Sequence, residues 1–149
     1  GIPHCAISIA LKIKDKIEVG IVYDPLKNDI FYAQRNNGAY LNNKRIRVSK
    51  RSKIDDCLFA TNLVGAKYSD FNIRYTGSAA LDLSYVACGR FDGYFIDKIN
   101  IWDVAAGLLI LEEAGGKLKS IDNKEILYNE KENILNPDFF AYSNIDFVI

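Results

Sequence analysis

The 149-residue chain balances 19 Lys+Arg against 19 Asp+Glu, so it has room for one domain with a real core and no net charge to draw it to nucleic acid or an acidic membrane. No apolar run reaches the roughly 18–20 residues that span a bilayer, and no charged-then-apolar leader precedes GIPHCAISIALKIK; a soluble cytoplasmic protein is expected. Cys5, Cys57 and Cys88 stand far apart with no C-x-x-C pair, which argues against a disulfide framework or zinc site and for buried thiols in a reducing compartment.

From residue 6 the pattern has period two, with Ile7, Ile9, Leu11 and Ile13 alternating against Ser8, Ala10, Lys12 and Lys14. This predicts a strand with one buried face. KDK and DPLKN are turns that separate the strands IEVGIVY and DIFYAQR. NNG (36–38) and NN (42–43) supply residues tolerant of positive φ around the short strand AYL, and RIRV (45–48) comes next as another strand. Residues 1–53 are therefore expected to form an antiparallel β-meander. Its basic run NKRIRVSKRSK reads as a solvated edge strand and loop, where lysines discourage sheet-to-sheet association.

From residue 54 the pattern changes to an α/β layer. CLFATNLV (57–64) is a continuous apolar run suited to a strand covered on both faces. GSAALDLSYVACG (77–89) predicts a helix with Ser78 as N-cap and Gly89 as terminator. FDGYFID returns as a strand, a second helix runs from about Asp103 to Ala114, and KLKSI, EILYN and FFAYSN close as strands. Strands followed by alternating strands and helices argue a layered α/β fold in one body.

Several carboxylates are candidates for chemistry. Asp103 opens the second helix, where aspartate is a favoured N-cap worth about 1 kcal/mol. Asp92 and Asp97 sit at a turn and a strand end; Asp82 reads as a helix-surface residue and Asp24 as a turn residue. His4 is the only histidine, and no serine or cysteine pairs with it by spacing. The GSAA stretch offers backbone N–H groups at a helix N-terminus, a place that suits an anion.

GSAALDLSYVACGRFDGYF followed by WDVAAGLLILEEAGG closely resembles the C-terminal signature of the inositol monophosphatase family, in its bacterial SuhB-like branch. GIVYDPLKNDIFYAQRNNGAYLNNKRIRVS resembles the family's middle strands, so the likeness covers essentially the whole chain. It implies a layered αβαβα fold, Mg²⁺ dependence, and hydrolysis of a phosphate monoester on a small polyol by metal-activated water. On that likeness Asp103 is a metal ligand, and Gly77, Ser78, Ala79 and Ala80 lie beside the substrate ring.

The likeness also implies what these residues lack. The family's other ligands sit in an upstream glutamate and a D-P-(I/L)-D-G-T segment, and GIPHCAISIAL resembles the family's stretch directly after that segment. The fold is then expected without its N-terminal helices and first strands, and the chain is expected to be inactive alone. Ile96 stands where members active on inositol phosphates commonly carry a glutamate that bonds ring hydroxyls, so the substrate extends to sugar phosphates. The short VGAKYSDF connection (64–71) replaces a helix. A non-catalytic interaction module and one half of a split phosphatase stay open as alternatives, with a second copy or an N-terminal chain as partner.

Overall fold

In the computed structural model, which describes residues 3–63, 71–97, 99–120 and 139–143, five antiparallel strands follow one another in sequential order. They are β1 (Ile7–Ile13), β2 (Lys16–Asp24), β3 (Asp29–Gln34), β4 (Gly38–Leu41) and β5 (Lys44–Arg45). Asn36, Gly38, Asn42 and Asn43 all take positive φ, which is why these residue types occupy the turns. The second turn is closed by a side chain: Oδ1 of Asp24 accepts from the N–H groups of Leu26 and Lys27 at 3.0 and 3.1 Å.

β5 stops after two residues, shorter than the strand expected over 45–48. The Ile46 N–H still reaches the Ala39 carbonyl at 2.9 Å, but the Val48 N–H donates to Ala114 at 3.2 Å, so the chain leaves the sheet to bond a distant helix end. Lys44 and Arg45 are exposed at the sheet's edge, as the basic run suggested.

The second sheet is mixed and contains β6 (Phe59–Thr61), β7 (Ile73–Arg74), β8 (Gly93–Ile96), β9 (Lys117–Ser120) and β10 (Phe139–Tyr142), in the order β7-β6-β8-β10-β9. β6 runs parallel to β7 and β8, whereas β10 is antiparallel to β8 and β9. Every residue of β6 and β8 is buried, as central strands demand. The EILYN strand, the end of the chain and residues 64–70 of the short connection lie outside the described residues.

Two helices, α1 (Ala79–Ala87) and α2 (Ile101–Glu113), are buried around most of their circumference. α2 packs on β1 to β4 and on α1, while α1 packs on α2 and β8. The result is a layered α/β arrangement with helices between two sheets. Its close fit depends on glycine: a Cβ at Gly20 of β2 would lie 2.7 Å from the Ala106 carbonyl oxygen, and one at Gly107 would lie 2.8 Å from Leu83 Cβ. Neither α1 nor α2 is long and apolar enough to cross a membrane.

The alternation in β1 is as expected, but the face it presents is not buried. Ile7, Ile9, Leu11 and Ile13 are 51–58% exposed. α2 covers the opposite side of the sheet, against Gly20 and the buried Val22, Phe31 and Ala33, and among the described residues nothing covers the isoleucine row. Cys5 also departs from expectation, being exposed; Cys57 is buried and Cys88 half-buried, and all three are free thiols.

Candidate active site

Both helices begin at the same cleft. Gly77 turns the chain into α1 with φ +89°, and no atom lies within 4 Å of where its Cβ would be, so glycine is needed there for backbone conformation and not for space. Ser78 occupies the N-cap position with extended backbone, but its hydroxyl makes no capping hydrogen bond. The first i to i−4 bond of the helix runs from the Asp82 N–H to the Ser78 carbonyl at 2.9 Å, which leaves earlier N–H groups of the first turn without helical partners.

α2 starts two residues before the expected point. Asn100 is its N-cap, also without a side-chain cap bond, and Asp103 is the third helical residue. Asp103 is thus not the cap; its carboxylate belongs to the first turn, where the helix macrodipole still favours it. The group is half-buried and makes no side-chain hydrogen bond to the described residues.

Gly77, Ser78, Ala79 and Ala80 face Asp103 across a cleft of about 350 Å³. The remaining lining comes from Ile99 and from the segment before and within β1: His4, Cys5, Ala6 and Ser8. Sequence reasoning brought Gly77–Ala80 and Asp103 together through resemblance but did not place His4 in the site; the signal that could have found it is the likeness of GIPHCAISIAL to the stretch directly after the family's ligand segment. Burial first and the Lys27 ammonium second lower the His4 pKa, against an opposing pull from Asp24. Nε2 of His4 and Oγ of Ser8 are buried with no hydrogen-bond partner among the described residues, an uncommon state for buried polar atoms.

The other candidate carboxylates are not in this cleft, and three are buried where the sequence suggested surface or turn roles. Asp24 is 1% exposed and pairs with Lys27 at 2.8 Å. Asp92 is fully buried, with Nε of Arg51 2.9 Å from both its oxygens and the Leu58 N–H at 2.8 Å. These bonds tie the turn before β8 to the strand beside it. Asp82, also 1% exposed, accepts from the Thr76 hydroxyl at 2.6 Å, and burial pushes its pKa up to about 7. At Asp97 the backbone exchanges two hydrogen bonds with the Asn62 amide, at 2.8 and 3.0 Å. Ile96 is fully buried in the main core and does not line the cleft.

One carboxylate is a short donor set for a metal. Among the described residues no three His, Cys, Asp or Glu side chains gather as a metal centre, and Mg²⁺ takes six oxygen ligands in near-octahedral geometry. These residues therefore do not by themselves fit the ion.

The model of the inositol monophosphatase family matches residues 1–145. The chain belongs to that family. Among its curated relatives, Nus factor SuhB of Haemophilus influenzae is 44% identical over 82% of this chain and 51% of its own length. Nus factor SuhB of Escherichia coli K12 is 45% identical over 77% of this chain and 49% of its own. A solved IMPase from Thermotoga maritima superposes with a TM-score of 0.80 at 34% identity, over 92% of this chain and 55% of that one. This inositol monophosphatase family member thus spans about half the length of the curated relatives it matches, and the layered fold is the family's.

Proposed function

We propose that the cleft is the substrate side of a phosphomonoesterase site for a small phosphorylated polyol, with Gly77, Ser78 and Ala79 contacting substrate and Asp103 contributing one ligand to a Mg²⁺ site. The supporting observation is the convergence of two helix N-termini: the GSAA turn and Asp103 arrive from sequence-distant elements and line one cleft. Free N–H groups and the positive end of α1 suit the oxygens of a phosphorylated polyol. Ser8 and His4 also line this cleft. We place the remaining metal ligands in the half of the relatives that this chain does not match, so the 149 residues alone are inactive.

The test joins this chain to the half of the Thermotoga maritima IMPase that it does not match. The chimera is expected to release phosphate from inositol 1-phosphate or a sugar phosphate only with Mg²⁺, and Asp103→Asn to cut that rate by on the order of 100-fold or more. A chimera that unfolds cooperatively yet shows no such hydrolysis, or is indifferent to Asp103→Asn, refutes the reading. A second reading, as a Nus factor, is favoured by the names of the Haemophilus and Escherichia relatives. It predicts a role that survives Asp103→Asn.

A further inference from the structure

Asp82 is buried, titratable and outside the cleft lining, and its contacts lead to the cleft wall. The Thr76 hydroxyl donates to Oδ1 of Asp82 at 2.6 Å, and the Ser78 N–H reaches the same hydroxyl oxygen at 3.4 Å. The relay Ser78 N–H to Thr76 O–H to Asp82 spans Gly77, whose backbone is left-handed with φ +89° and faces open space where a Cβ would stand. A carboxylate with 1% exposure is removed from bulk solvent, so its hydrogen bond to Thr76 is correspondingly strong and directional.

We propose that Asp82 is a positioning residue for the cleft: through Thr76 it fixes the Gly77–Ser78 backbone and so aims the first N–H groups of α1 at the ligand. The inference rests on the phosphomonoesterase reading only for what the ligand is; the relay itself is a property of the chain. Its dependence on the protonation of Asp82 comes from the bond directions. An ionised Asp82 can only accept, which commits the Thr76 proton to it and leaves the Thr76 oxygen facing Ser78. A protonated Asp82 can donate to Thr76 instead, and the relay is no longer fixed in one direction. The groups near Asp82 are Thr76 from the preceding loop and Tyr94 from β8. Burial raises the Tyr94 pKa first, then the charges of Asp82 and of Asp103 from α2.

The experiment is an NMR pH titration of the labelled full chain without ligand, following the Asp82 carboxyl carbon and the Ser78 amide. Both are expected to move together with a midpoint near 7, apart from the His4 ring, which titrates below its ordinary 6.5. The Ser78 titration should vanish in Thr76→Val, which keeps the shape, and return in Thr76→Ser, which restores the hydroxyl. A Ser78 amide that stays flat while Asp82 titrates in the wild-type chain overturns the proposal without any variant. So does a titration that persists in Thr76→Val. In a second step, inorganic phosphate is added at fixed pH: if it leaves the Ser78 and Ala79 amides unmoved while the relay titrates, the ligand assignment fails and the relay stands.

Discussion

Replacing Asp82 by asparagine removes a charge that burial strongly disfavours. The carboxyl is pushed from its ordinary 3.8 up to about 7 by burial, with the Thr76 hydrogen bond opposing. A pKa raised in the folded state means that the folded state holds a proton the unfolded chain releases. The stability Asp82 contributes is therefore fully present below pH 3.8 and is lost as pH rises through 7. About three pH units at about 1.36 kcal/mol each come to on the order of 4 kcal/mol, a large share of the roughly 5–15 kcal/mol that holds a domain together. About two of those units fall between about pH 5 and about pH 8.5, so Asp82→Asn should gain about 3 kcal/mol on the wild type across that interval. Urea unfolding of both proteins at the two pH values measures this directly, and every other titrating group cancels between them. A difference between the proteins that is the same at both pH values, within about 0.5 kcal/mol, refutes the reasoning that Asp82 is a desolvated acid.

Gly20→Ala should destabilise by about 2–3 kcal/mol, because its Cβ meets α2 backbone at 2.7 Å and helix and sheet must separate; urea midpoints test it. Arg51→Leu leaves the fully buried Asp92 with the Leu58 N–H as its remaining donor among the described residues, a loss of about 2–3 kcal/mol. Thermal unfolding should show it as a fall of roughly 5–10 °C, and an unchanged transition would mean that water replaces the guanidinium.

The strands and turns of the first sheet were legible because each turn has residues that accept a left-handed backbone, such as Asn36 and Asn42, and because a period of two admits one geometry. What lies on a strand's apolar face is not encoded in that period. The isoleucines of β1 and the matching run in β2 read alike, yet α2 chooses the side with Gly20. Asp103 was misassigned as a cap because an aspartate at the cap and one in the first turn satisfy the same dipole, and Asn100 is an equally good cap residue. Asp82 looked like a surface charge and Asp24 and Asp92 like turn residues, since their burial is licensed by specific partners. One of those partners, Arg51, is 41 residues away in the chain. His4 entered the cleft for a similar reason: its neighbours in space are not its neighbours in sequence.

The walls of the cleft come from residues 4–8, 77–80 and 99–103, whereas the hairpins of the first sheet pair residues no further apart than Ile7 and Tyr23. Bringing the first wall to the second closes a loop of about 70 residues, whose entropy cost must be met before any contact across the cleft forms. The meander can therefore assemble early and the cleft only at the end. A molecule bound there recognises nothing that precedes the finished fold, so it should leave the folding rate unchanged and slow unfolding.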